Sequence, residues 1–332
     1  MSATRSLPQV PAAGAPSSGA PAASSLRLWT NLWIIYVVWG STYLAIRIMV
    51  ETVPPLLGSG IRFGLAGVLL LGFLIARRGW RAVRPTRRQT VGALVIGMLL
   101  PGANAVVCVA EVDVPSGLAA LLIAAVPLFV ILLRAGARER IAPSSMVGVA
   151  VGFAGVGLLV LGGERPDGAS LIGMAALVGG ALMWATGSFA SSKIDLPRDP
   201  FVSTGWQMLL GGLVITVVGV LAGEGGDVRP ERFSTDSLLA FAYLLTFGSL
   251  FAYSAYIWLL QNAPVSKVAT YAYVNPVIAV FLGWIVLEEV VSALTLVAAT
   301  VIVASVAIVV RTESRGTAAR TASRARSASA SS

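Results

Sequence analysis

The chain contains no histidine and a single cysteine, Cys108. The first absence excludes imidazole metal sites, Ser–His nucleophiles and histidine proton relays. The second excludes an intrachain disulfide. Charge is scarce too: Asp, Glu, Lys and Arg together make up 12% of the 332 residues. Soluble domains carry roughly a quarter, so a soluble surface of this size would lack polar cover. There is no HExxH, no paired aspartate within an apolar run and no GxxxxGK[ST] loop. Intramembrane proteolysis and nucleotide-driven pumping by this chain are therefore excluded, and no cofactor or metal is expected. GFAGVG at 152–157 is not a GxGxxG following a strand, and implies no nucleotide site.

What the chain does have is apolar length. Hydrophobic residues make up 56%, and the mean hydropathy is +0.84. At ~20 residues per span, the runs between charges predict helices near 29–50, 55–75, 91–110, 116–134 and 145–162. A second set lies near 171–191, 201–222, 238–260, 265–287 and 292–310. Pro101 and Gly102 predict a kink in the third, and Arg134 interrupts the end of the fourth. The Ala/Pro/Ser-rich segment 1–28 and the Arg/Ala/Ser/Thr segment 311–332 read as disordered tails, the second basic enough to meet anionic headgroups. No apolar run follows Arg5 closely enough for a cleaved signal peptide.

The net charge of +9 follows membrane topology, not nucleic-acid binding. With both termini on the cytoplasmic side, 19 basic residues fall inside and three (Arg165, Arg229, Arg232) outside, while Arg47 and Arg62 lie within spans. Of the 15 acids, 11 fall outside.

The two halves also resemble each other. Trp39 and Trp184, and Arg62 and Gln207, are 145 apart. Pro115 and Pro264, Pro127 and Pro276, and Glu139 and Glu288 are 149 apart. Five helices per half, an odd number, invert the second half in the membrane. Inverted repeats around a midplane site are a secondary-transporter architecture. The expected fold is all-α, with ten transmembrane helices as a five-plus-five inverted repeat over 29–162 and 171–310.

At WGSTYLAIRIMVETVPPLLGSGIRFGLAG (39–67), AALLIAAVPLFVILL (119–133), WATGSF (184–189) and VSKVATYAYVNPVIAVFLGWIVLEEV (265–290), the chain resembles EamA-type transporters of the drug/metabolite transporter superfamily. The resemblance covers about residues 29 to 310. It implies ten helices in two repeats and export of small metabolites, amino acids or toxic organic compounds. RAGARER at 134–140 departs from the family's usual apolar approach to its Glu, and leaves the end of the fourth helix in doubt.

A transporter needs polar groups facing a cavity within its spans. Arg62, about seven residues into its helix, either contacts an anionic group of the cargo or bonds helix-end carbonyls at a bend. Tyr36, Gly40, Tyr43 and Arg47 share one face of the first helix. Arg47 is close enough to the end to snorkel. Lys267, Tyr271 and Asn275 fall at i, i+4 and i+8 on the ninth, just before Pro276. They line a site or a hinge, or serve plain packing. The expected substrate-binding set is Trp39, Tyr43, Arg62, Trp184, Tyr271 and Asn275. Asn104, Trp206, Tyr253 and Tyr256 add aromatic or polar tips, whereas Trp29, Trp33 and Trp80 read as interface belts. Gly60/Gly64 and Gly148/Gly152 form GxxxG pairs for tight packing, and the nearly nonpolar fifth and tenth helices are expected at the periphery. No Asp or Glu is expected well inside a span, so no buried carboxylate for proton coupling. Expected partners are a small-molecule cargo and the lipid bilayer, with a homodimer left open and no nucleic acid. A non-transporting membrane sensor or scaffold, or a channel, is the alternative.

Overall fold

The computed structural model describes residues 25–139, 141–162, 169–263 and 268–330. The expectations for residues 1–24, Arg140, Arg165, Pro264 and Lys267 lie outside them. The described chain is helical, in the order α1 (Ser25–Met49), α2 (Pro55–Arg78), α3 (Arg87–Ala110), α4 (Ser116–Ile123 and Val126–Gly136), α5 (Pro143–Leu161) and α6 (Leu171–Ser191). There follow α7 (Pro200–Leu221), α8 (235–262), α9 (Tyr271–Leu287) and α10 (Ala293–Ala330). Among the described residues nine helices are long and apolar enough to cross a membrane, and α9, at 17 residues, is shorter.

The helix ends follow local rules. Thr86 and Gln89 form a reciprocal capping box at the start of α3. Asp199 caps α7, accepting from Phe201 N at 2.8 Å and Val202 N at 3.2 Å, and also pairs with Arg78 at the end of α2. Burial raises the Asp199 carboxyl. The Val202 and Phe201 N–H groups and the Arg78 guanidinium outweigh that, and hold it below the usual carboxylate range. Beyond Arg311, where composition predicts disorder, α10 continues as helix to Ala330. Alanine and arginine are strong helix formers.

The breaks fall differently from expectation. Pro101 is accommodated inside a continuous α3. The break is instead in α4, at Ala124–Ala125. Pro127 offers no N–H to the Ile123 carbonyl, and the chain tightens through Ala125 N→Leu122 O (3.2 Å) and Leu128 N→Ala125 O (2.9 Å). Nor does Arg134 end the fourth helix. It donates to Glu139 at 2.8 Å and to Glu313 at 2.7 Å, and Glu313 also accepts from Ser145 Oγ at 2.7 Å. This network joins α4, α5 and α10 at the end of the bundle rich in arginine (the basic end). The opposite end carries Glu111, Glu224 and Glu289 (the acidic end). There Glu224 accepts from Leu56 N (3.1 Å) and Leu57 N (2.8 Å) at the start of α2. Glu289 accepts from Ser116 N (2.7 Å) and Gly117 N (3.0 Å) at the start of α4. A left-handed Glu288 (φ 54°) turns the chain so that Glu289 reaches back.

α2 and α7 pack along most of their length. A Cβ on Gly212 would collide with the backbone of Gly64 and Gly60, while a Cβ on Gly64 would meet nothing within 4 Å. α3 meets α7 equally closely, with Gly97 against Gly211. Pro101 leaves the Gly97 carbonyl without an intrahelical donor, and that oxygen lies against the Gly211 backbone. Gly148 faces Val309 of α10, Gly152 lies between Leu128 of α4 and Ser305 of α10, and α5 and α10 pack mainly on each other.

Gly212→Val is expected to lower the unfolding midpoint of the detergent-solubilised protein, at an overpacking cost of about 1–3 kcal/mol. Gly64→Ala should stay within about 0.5 kcal/mol of the parent. Equal effects of the two would refute this packing.

Candidate functional site

Two groups of side chains stand out. The first is aromatic. On α1, the Trp39 ring lies 5.1 Å from Tyr256, 5.3 Å from Tyr271 and 6.4 Å from Tyr253. Tyr256 also meets Tyr253 and Tyr271, each at 6.0 Å. Three helices (α1, α8, α9) thus supply four rings. α8 makes this approach through a π-helical stretch, Leu244–Phe251. Such stretches interrupt the regular ladder and often mark functional sites. Trp39 Nε1 donates to Gly248 O at 3.2 Å within it, and Ser41 Oγ and Tyr243 Oη are 2.7 Å apart. The WGST segment therefore docks on the irregular part of α8. Asn275, one turn beyond Tyr271, is buried against α1 near Gly40, and its Oδ1 has no partner.

The second group is polar. Arg62 is 3% exposed. Its guanidinium donates to Asn104 Oδ1 and lies 4.3 Å from the Phe63 ring centroid, while Nε has no hydrogen-bond partner. No carboxylate pairs with it among the described residues. Asn104, Cys108 and Glu111 follow at i, i+4 and i+7 on α3, one stripe of that helix. Gln207, the repeat-related counterpart of Arg62, is also buried but donates to Ser203 Oγ at 2.8 Å on its own helix.

Of the predicted set, the structure therefore brings Trp39 and Tyr271 together, with Asn275 beside them. Tyr43, on α1, lies within electrostatic reach of both Tyr271 and Glu111, and so stands between the two groups. Arg62 belongs to the polar group. Trp184 is half-buried on α6 and makes no ring contact among the described residues. A hollow of about 610 Å³ lies on the flank of α1, lined by residues such as Trp29, Trp33 and Val37, and none of the six predicted residues lines it.

Two expectations are corrected. Arg47 does not snorkel: its guanidinium donates to the carbonyls of Glu111 and Val112, capping α3. No buried carboxylate was expected, yet Glu111, counted among the acids on the outer side, is 0% exposed. Its spacing from Asn104 and Cys108 was the available signal, since it continues their face instead of starting a loop.

A profile of the EamA-like transporter family matches the chain twice, over residues 28–161 and 171–311. The chain belongs to the EamA-like transporter family. It is 40% identical over 289 residues to YedA, an inner membrane transporter of Escherichia coli K12, covering 86% of this chain and 90% of that one. It is 30% identical to the protein PecM of Dickeya dadantii, covering 82% of this chain and 88% of that one. A protein of known crystal structure aligns with a TM-score of 0.58 at 21% identity, over 87% of this chain and 98% of that one, which supports the fold. The EamA-like chain is thus a multi-pass membrane protein of a transporter family.

Removing the Asn104 amide leaves a buried guanidinium short of an acceptor. Asn104→Ala should cost about 1–3 kcal/mol in the unfolding midpoint. Arg62→Met removes the buried charge itself, and should be neutral or stabilising by about 1–4 kcal/mol. If Arg62→Met destabilises as much as Asn104→Ala, Arg62 is a structural residue.

Proposed function

We propose that the chain is a secondary transporter that exports small metabolites, amino acids or amphipathic organic compounds by alternating access. The observation that carries this is Arg62. A guanidinium buried in a membrane bundle without a carboxylate is costly, and it is retained where a ligand completes it. Cargo with an anionic group would meet Arg62, and Trp39, Tyr43, Trp184, Tyr271 and Asn275 would form the walls. The ring group suits an apolar or cationic organic body, since ring faces attract cations.

Rocking of two inverted halves is supported by the pairing of helices. α1 packs on α8 and α9, and α6 packs on α3 and α4. α2 packs on α8, and α7 on α3. Exchanging each helix with the one five places away turns the first of each pair into the second. The α2–α7, α4–α9 and α5–α10 pairs map onto themselves. Such a relation is expected of two repeats about an axis through α2 and α7. The basic end faces the cytoplasm by the positive-inside rule, in the plasma membrane of a bacterial cell.

The test compares metabolites released by cells expressing the parent and Arg62→Ala at matched membrane abundance. Selective release by the parent, lost in the variant, is the expected result. An unchanged pool in both would bring the sensor reading forward. Orientation has a separate check. A cysteine replacing the exposed Asp227 should label from outside intact cells, and one replacing the exposed Ala82 should not.

A further inference from the structure

Glu111 follows directly on the last residue of α3, yet its side chain is fully buried. Neither carboxyl oxygen has a hydrogen-bond partner. The nearby cation is turned elsewhere: Arg47 donates to the backbone carbonyls of Glu111 and Val112, not to the carboxylate. Among the described residues, the other ionisable groups around it are Tyr43 on α1, Cys108 one turn back on α3, and Glu289 in the segment after α9. Asp113, two residues on, is exposed. Glu289 is engaged with the backbone of Ser116 and Gly117. A hollow of about 10 Å³ beside Glu289, lined by Gly117, Val280 and Thr295 among others, is close to the space one water needs.

An ionised carboxylate in this position would have neither solvent nor a hydrogen-bond donor, and would face a second carboxylate. A neutral carboxyl avoids both costs. We propose that Glu111 is a proton-binding site: the acidic end closes around it with the proton on, and opening of that end releases the proton to water. This names the coupling ion of the transport reading above and rests on that reading. Burial, and then the Glu289 charge, push the Glu111 carboxyl well above the usual range, with the Arg47 charge pulling the other way. The sign follows. The closed arrangement is favoured at low pH and loses that advantage as pH rises from the open-state pKa to the closed-state one.

The first test needs no cargo. Infrared spectra of the full chain in lipid near neutral pH should show the carbonyl stretch of a protonated carboxyl, and Glu111→Gln should lack it while Glu289→Gln keeps it. Identical spectra for the parent and Glu111→Gln overturn the proposal. The second test uses Cys108, the chain's own buried thiol on the same face. Its labelling by a charged thiol reagent requires the acidic end to open. The ratio of labelling rates, parent over Glu111→Gln, should rise by up to roughly tenfold per pH unit, because one proton is linked to opening. Each rate is first divided by the labelling rate of the same protein unfolded in denaturant at that pH, which removes the thiol's own titration. Glu111→Asp should restore the slope, and a flat ratio in the parent overturns the proposal. Neither readout depends on export, so a failed release experiment would weigh on the transport reading alone.

Discussion

Close backbone approach at glycine is the constraint on which this bundle depends. In hydrocarbon, apolar side chains gain little by leaving lipid for one another, so helices associate through dispersion contacts and polar links. α7 lies at the centre of that arrangement. It meets α2 at Gly212 and α3 at Gly211, at distances that no Cβ would permit. Once these two contacts are made, the Arg78–Asp199 pair and the Glu224 carboxylate fall at opposite ends of the α2–α7 pair.

The polar chemistry sits around that seam. On one side, Arg62 meets Asn104 where α2 contacts α3, and Cys108 and Glu111 continue that stripe toward the acidic end. On the other, four rings from α1, α8 and α9 gather over the π-helical stretch of α8. Tyr43 follows Trp39 by one turn on α1. Among the described residues, neither Arg62 nor Glu111 has a partner of opposite charge on its ionisable atoms. Structural ion pairs elsewhere in the chain, such as Arg134 with Glu139 and Glu313, are satisfied. The contrast separates charges that tie one helix to another from charges that are buried without a counter-charge.

The ends differ in the same spirit. At the basic end, side chains join helix to helix through ion pairs. At the acidic end, carboxylates clasp the bare N–H groups at the starts of α2 and α4, where the helix dipole favours negative charge.

The apolar runs and the family were legible in the residues themselves, because partition into lipid is close to a sum over a short window and needs no partner. So was the candidacy of Arg62, since an arginine inside such a run is costly wherever it packs. The pairing of groups across helices was not legible. Glu111 and Arg47 are 64 residues apart, and Ser116 and Glu289 are 173 apart. Nothing in either neighbourhood specifies the other. Pro101 and Pro127 look alike as sequence, yet only the second breaks its helix, because the freed Gly97 carbonyl below the first lies against α7. Composition thus determined what enters the membrane, where each residue contributes alone. Tertiary packing decided which charges are buried and which rings meet, because those energies exist only between surfaces that the fold brings into contact.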